Sequence, residues 1–446
     1  MRPGPTRRAN CIDYLKTLPS GIRVAYDDHG SLGTTAIGIF VGVGSRDESV
    51  DQEGMAHFLE HLVFKGAGPL DSHAIATQMD LLGGEVNAYT TRDYTCYYAK
   101  VLTPLAPQAW RLLWNMVAHP WLRDADVARE RNVIKEELLE ALDDLEDRCE
   151  MAYMKALWMD SALTHDVLGS AESLGQVNAQ TLRDFYDKHY RPSNIAIAIA
   201  GDGTHNILAL LEKEALVVTP KAPLPSLRHL PRAQALEVHD VQPSEQVQVL
   251  MGVAAPHLDS ADYPATLLLS TIIGGQNTSR LWQRLREQDG LVYTVSTGYN
   301  AQPEWAEMSI HMALNPISVP EAMAAIAEEM QWFQQEGPSL DDIDRAIIQL
   351  ETSLAFTRET PEGRMFRLGR YALCESCPPT NEFFIQRLRK VTAKEIQALS
   401  QKLWPHWEQV AIGVVGALAA PDPEASIRAW LKSPVTPRPS PFRRPH

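Results

Sequence analysis

The stretch VNAQTLRDFYDKHYRPSNIAIAIAG, residues 177–201, decides the architecture once it is set beside VTAKEIQALSQKLWPHWEQVAIGVVG, residues 391–416. Each opens on a side chain suited to capping a helix, Asn178 in the first and Thr392 in the second. Each then spaces its apolar residues for a helix, breaks at a proline-containing turn and ends in an apolar strand. A second pair of segments matches near the start of each half. TAIGIFVGVGSRDES (35–49) leads into a helix near Met55, and VQVLMGVAAPHLDSADYP (247–264) leads into one near Thr266. Two matching pairs in the same order predict an internal duplication. Between the copies lies VVTPKAPLPSLRHLPR (217–232), with four prolines in 16 residues. Proline fixes φ and removes a backbone donor, so this segment reads as an extended linker. The expected organisation is a first domain over residues 10–216, a linker over 217–233, a second domain over 234–433 and a loose Pro- and Arg-rich tail over 434–446. Strands interleave with long amphipathic helices in both halves, so each domain is expected to be an α/β or α+β layer structure.

Bulk composition narrows the function. With 446 residues, 45% of them apolar and 22% charged, the chain has material for substantial cores. No apolar run approaches the ~18 residues needed to span a bilayer. The basic N-terminus, MRPGPTRR, lacks the apolar core of a secretory signal. A cytoplasmic enzyme is the expectation, with a mitochondrial matrix location, reached through a short presequence, as the alternative. The net charge of −15 leaves no surplus of Lys and Arg for phosphates, which argues against nucleic-acid binding. The five cysteines form no disulfide framework, and Cys374 and Cys377, a lone C-x-x-C, read as ordinary thiols.

The chemistry concentrates at His57-Phe58-Leu59-Glu60-His61. On a helix, positions 57 and 61 stand one turn apart on one face and position 60 joins them. Two imidazoles at that spacing can share a metal ion, with a carboxylate beside them, in the H-x-x-E-H order. The flanking Met55, Phe58, Leu59, Leu62 and Val63 predict a buried helix, where unpaired polar groups are costly. Satisfied core histidines with an ion-paired glutamate are the competing reading of the pentapeptide alone. A second helix, DADVARERNVIKEELLEALDDLEDRC (124–149), places Glu130 and Glu137 on the same face as an apolar stripe of Val127, Val133, Ile134, Leu138 and Ala141. Acids on such a stripe call for a positive partner. A divalent metal would supply one, with Glu137 as third ligand and Glu130 as support; a buried ion pair remains the other reading of Glu130.

HFLEH, followed 76 residues beyond its second His by the Glu137 of ERNVIKEEL, resembles the pitrilysin/insulysin family of zinc metallopeptidases (inverzincins). It is most similar to the single-chain members and to the β subunit of mitochondrial processing peptidase. The resemblance covers nearly the whole chain. It implies an α+β fold of two duplicated α/β-roll domains, each a mainly antiparallel sheet covered by helices. It also implies one Zn2+ per chain on His57, His61 and Glu137, Glu60 as catalytic base, and Glu130 as an acid supporting the site. Three protein ligands leave a fourth position for water, whose proton Glu60 would take and pass to the leaving amine.

The same resemblance implies a substrate strand within GGEVNAYTTRDYTCYYAKV (83–101), where Asn87 and Ala88 line the cleft and a peptide adds to the sheet edge. Tyr89 and Tyr94 read equally as core aromatics. In the second half, TLLLSTII (266–273) stands where the metal helix stands in the first and carries neither His nor Glu. SRLWQRLREQDGLVYTV (279–295) supplies Arg286 and Tyr293, which match a family pair that contacts substrate backbone near the developing oxyanion. By composition alone Arg286 is a solvated helix arginine. Because one chain keeps both the metal motif and the Arg/Tyr pair, a homodimer closing like a clamshell is expected, with a heterodimer of related chains as the alternative. The expected activity is endopeptidase cleavage of peptides or unfolded segments. The rivals are a dedicated processing peptidase for one leader or presequence, and a non-catalytic scaffold.

Overall fold

A computed structural model describes residues 15–28, 33–159, 161–214, 228, 230–374, 379–404, 406–418 and 427–432. Most of the expected linker, all of the tail 434–446, Cys11 and Cys377 lie outside the described residues. Among the described residues no helix is long and apolar enough to cross a membrane.

The repeated helix–strand segments form as their chemistry predicts. Asn178 accepts from the N–H groups of Gln180 and Thr181 at the head of the helix Ala179–His189, and the strand Ile195–Gly201 follows. Thr392 accepts from the N–H of Glu395 at the head of Ala393–Leu403, and Ala411–Val415 follows. In both cases the cap satisfies a donor that the first helical turn leaves orphaned.

The chain divides into two compact units. In the first, a six-stranded sheet runs in the order Leu15–Thr17, Arg23–Asp27, Ile195–Gly201, Thr34–Val41, Thr95–Leu102, Glu85–Thr90. Its pairs are antiparallel except Arg23–Asp27 with Ile195–Gly201. In the second, five strands run in the order Val292–Ala301, Ala306–Leu314, Val247–Ala254, Ala411–Val415, Glu237–Asp240. Here too only the last pair is parallel. Read from the edge hairpin inward, the two sheets share order and direction strand for strand. This common topology is the duplication expressed in three dimensions, and mixed, mainly antiparallel sheets covered by helices are the expected fold class.

The units are not the two halves of the sequence. The first comprises Met1–Glu140, His165–His229 and Glu351–Phe384; the second comprises Ala141–Thr164, Leu230–Leu350 and Ile385–His446. A cut at residues 217–233 therefore does not separate them: each half lends a helix to the other unit. Pro361–Leu373 packs on the first sheet, where Met365, Leu368 and Ala372 join Phe40, Cys96, Ala196, Ala198 and Ala200 in one core. Leu145–Trp158 packs on the second sheet, against the strands Ala411–Val415, Val247–Ala254 and Glu237–Asp240. Glycines admit both helices. A Cβ on Gly38 would press on Met365 Sδ, the movable end of a side chain, and one on Gly413 would stand 2.5 Å from the backbone N of Tyr153. The Gly413 contact, made with fixed backbone, is closer than a Cβ tolerates, which is why glycine occupies that strand at the crossing.

Candidate metal centre and its surroundings

HFLEH lies on the helix Met55–Leu62, whose Met55, Ala56, Phe58, Leu59 and Leu62 are buried. Its N-terminus is fixed by a residue from outside the motif. Glu48, 4% exposed, accepts from the Gly54 N–H at 2.8 Å and from the Ala56 N–H at 2.7 Å. Two orphan donors and the positive end of the helix are thereby met by one carboxylate. Burial pushes the Glu48 carboxyl well above the ordinary range, and the two backbone bonds oppose that rise.

The second helix, Asp124–Asp143, presents Val127, Glu130, Ile134 and Leu138 inward. Val133 departs from the expected stripe and is 43% exposed. At about 100° per residue it falls some 60° from Glu130, on the side away from Val127, Ile134 and Leu138. Glu137 falls between, at the rim of the buried stripe, and its side chain is 39% exposed against 2% for Glu130.

His57, His61 and Glu137 each offer one donor atom, all within 4.8 Å of one another. His61 Nε2 lies 3.4 Å and His57 Nε2 3.8 Å from Glu137 Oε2. Two ligands about 2.1 Å from a common tetrahedral centre stand roughly 3.4 Å apart, so the two His–Glu137 separations suit a shared zinc-sized ion. Burial, with the neighbouring His61 adding to it, lowers the pKa of His57 to about 3, leaving its ring neutral with a lone pair to give. His57 Nδ1 is buried without a hydrogen-bond partner among the described residues. A structural histidine would gain nothing from such an orphan, whereas a ligand must be where the ion is. His61 Nδ1, on the far side of its ring, lies 3.5 Å from Glu130 Oε2, and that oxygen is paired with Lys65 Nζ at 3.0 Å. Carboxylates behind the second nitrogen of a ligating imidazole fix its orientation. The donor set fits zinc.

Glu60 stands in the same space without being one of the three. Its Oε2 accepts from Thr90 Oγ1 at 2.6 Å. Desolvation raises its pKa to about 7; the Thr90 bond opposes the rise and the charge of Glu137 adds to it. A carboxyl poised near neutrality takes and returns a proton readily.

Thr90 ends the strand Glu85–Thr90, which is the edge of the first sheet. Asn87 and Ala88 lie on this edge, paired with Tyr98 and Tyr97 on one side. Tyr89 and Tyr94 share a hydroxyl contact of 3.1 Å and pack on the core beside Phe366, so they are core aromatics. In the second unit, the helix Tyr263–Gly274 is apolar where its counterpart carries the motif. Arg286 sits in a π-helical turn, Trp282–Gln288, and donates from Nη1 to the Val292 carbonyl at 2.8 Å. Tyr293, 49% exposed, is the extra residue where the register slips between Val292 and Thr294. Arg286 is thus tied to the bulge that turns Tyr293 outward. π-turns and bulges of this kind recur where a side chain must be re-aimed.

Sequence reasoning missed Glu48, Lys65 and Thr90. Lys65 had a signal, since it stands one turn after His61. Thr90 and Glu48 had none, because a strand-end threonine and a loop glutamate look alike in any soluble protein.

Comparison with known proteins places this geometry in context. Residues 23–171 match the family described as Insulinase (Peptidase family M16), and residues 176–350 match the family described as Peptidase M16 inactive domain. An uncharacterized zinc protease of Streptomyces coelicolor is 31% identical over 413 residues, covering 90% of this chain and 89% of that protein. One of Mycobacterium tuberculosis is 32% identical over 396 residues, covering 87% of this chain and 90% of the relative. Among solved structures, a protease from Helicobacter pylori shares the fold with a TM-score of 0.83 at 17% identity, over 92% of this chain and 100% of that one. A Pseudomonas fluorescens structure described as a peptidase M16 inactive domain also reaches 0.83, at 20% identity, over 92% and 98%.

Proposed function

This chain belongs to peptidase family M16, and on that premise we propose that it is a zinc-dependent endopeptidase. It hydrolyses peptides or unfolded segments held in extended form inside a closed chamber. The observation that carries the reading is the convergence of His57, His61 and Glu137 beside a Glu60 whose pKa is near 7.

His57, His61 and Glu137 would hold the ion, one per chain. A zinc ion held there would supply Lewis acidity for the scissile carbonyl and for a water molecule, whose pKa it would lower towards ~7. Glu60 takes the water's proton on its carboxylate and delivers it to the nitrogen of the leaving amine. The edge strand Glu85–Thr90 receives the peptide as an added strand, so grip comes from the backbone and sequence preference is loose. Arg286 and Tyr293 donate to substrate oxygens where negative charge develops. Two protomers share the work, each offering its Arg/Tyr pair to the other's metal centre, and the enzyme acts in the cytoplasm.

The test is hydrolysis of quenched fluorescent peptides of varied length and sequence by wild type and Glu60→Gln, with bound metal quantified in both. Broad cleavage by wild type, lost in the variant while about one zinc per chain is retained, is the expected result. A metal-loaded wild type that cleaves one leader-like peptide alone would replace a general peptidase with a dedicated processing enzyme, and a metal-free inert one would leave a scaffold. Mixing Glu60→Gln with Arg286→Ala protein should restore part of the activity; no restoration would refute the sharing between protomers.

A further inference from the structure

We propose that Thr90 is a positioning residue for Glu60, and that through it the strand that receives the substrate also aims the catalytic base. The inference rests on the peptidase reading of the site.

The geometry is specific. Thr90 Oγ1 lies 2.6 Å from Glu60 Oε2 and 3.5 Å from Thr95 Oγ1, and a hydroxyl has one hydrogen to give. Thr95 spends its own hydrogen on the Val43 carbonyl at 2.9 Å, so the Thr90 hydrogen goes to the nearer, carboxylate acceptor. A hydrogen bond to an ionised acceptor at this distance belongs to the strong class. It fixes one oxygen of Glu60 and leaves Oε1 for chemistry. Without it the end of a long carboxylic side chain is free to rotate, and a small misplacement of a reacting group is expensive in rate.

Thr90 is itself held. A β-branched side chain has few χ1 choices, and Thr90 pairs with Thr95 at the closed end of the hairpin. In the turn beyond, Thr91 N–H donates to the Tyr94 carbonyl at 2.9 Å, and Thr91 Oγ1 accepts from the N–H groups of Asp93 at 3.2 Å and Tyr94 at 3.1 Å. Arg46 Nη1 grips Asp93 Oδ1 at 2.6 Å with both side chains nearly buried. Alternation along the strand puts Ala88 on the face of Thr90, while Tyr89 turns to the opposite core. A peptide added to this edge therefore runs alongside the residue that aims the base.

The test compares Thr90→Val, which keeps the shape and removes the hydroxyl, with Thr90→Ser, which keeps the hydroxyl. Each is made in wild-type and Glu60→Gln backgrounds. Turnover, KM, zinc per chain and binding of an uncleaved peptide by the Glu60→Gln proteins are measured. Thr90→Val is expected to lower kcat about ten- to a hundredfold. KM, zinc content and peptide affinity should stay within about twofold, and Thr90→Ser should recover kcat to within about threefold. In the Glu60→Gln background, which binds peptide without cleaving it, the Val substitution should leave zinc content and peptide affinity unchanged, because Thr90 acts on turnover through the carboxylate and not on binding. Wild-type kcat in Thr90→Val would overturn the inference. So would a Ser variant as damaged as Val, or a fall in zinc or peptide affinity. A wild type that cleaves no peptide would overturn the peptidase reading and this inference with it; parity of Thr90→Val with an active wild type would overturn the inference alone.

Discussion

Replacing Glu130 by Gln keeps the shape of a buried side chain and removes its charge. The carboxylate faces two neighbours: His61 Nδ1 at 3.5 Å, on the ring of a proposed ligand, and Lys65 Nζ at 3.0 Å. An amide oxygen still faces the imidazole, but without the charge that attracts it, and interactions with an ionised partner are roughly twice as strong as neutral ones. Partners in this position carry about 10- to 100-fold in metal affinity, or about 1.4–2.7 kcal/mol. The effect on the metal-free fold should be smaller. Glu130 is 2% exposed, yet the charge left behind belongs to Lys65, whose side chain is 32% exposed and can turn to water. A loss of about 1 kcal/mol is expected there, well below the ~3–5 kcal/mol of a stranded interior charge. At fixed saturating zinc the affinity loss adds to it, so the loaded protein should lose about 2–4 kcal/mol. Zinc competition against a chromophoric chelator reads the first quantity, and urea unfolding of stripped and loaded protein reads the second. Zinc affinity within about twofold of wild type would refute the argument that Glu130 holds His61.

Three further outcomes follow from the same contacts. Glu48→Ala strands the buried N–H groups of Gly54 and Ala56 and should cost about 2–4 kcal/mol in urea unfolding, with Glu48→Gln milder because one acceptor survives; equal stability of the Ala variant would contradict the capping role. His189, 5% exposed, has its pKa lowered by burial from 6.5 to about 4, so the unfolded chain binds the proton more tightly. Its contribution is therefore complete above pH ~6.5 and is lost as pH falls towards ~4, on the order of 3 kcal/mol. Zinc-loaded His189→Phe should show a flatter acid limb in stability-versus-pH curves, and parallel curves would sink the assignment. Met365→Ala should cost about 2–5 kcal/mol by opening a cavity beside Phe40; a loss under about 1 kcal/mol would mean the exchanged helix is not packed as described.

The sequence made some features legible because they depend on local rules. Capping side chains, proline turns and apolar runs announced both helix–strand segments. The i, i+4 spacing of His57 and His61 placed them on one face whatever surrounds the helix. Glu137 was legible through its place on an amphipathic stripe, although Val133, which reads as part of that stripe, sits in water because chemical type does not fix angular position. The exchange of helices was not legible. Nothing in RMFRLGRYAL says which sheet it covers, since any apolar face of the right width would serve until the chain is folded. Thr90 was hidden for a related reason: its partner is 30 residues away, and only tertiary structure joins them.

The helix exchange also bears on how the protein is made. Translation delivers the first sheet's last strand at Gly201, whereas the helix that covers its Phe40, Cys96, Ala196 and Ala198 ends at Leu373. At about 5–20 residues per second, that apolar face waits roughly ten to thirty seconds for its cover. The helix Leu145–Trp158, which takes the matching place in the other unit, has already left the ribosome by then. Synthesis therefore passes through an interval in which a helix of similar kind is present and the right one is not, and a chaperone that shelters the nascent sheet should raise the yield of folded protein.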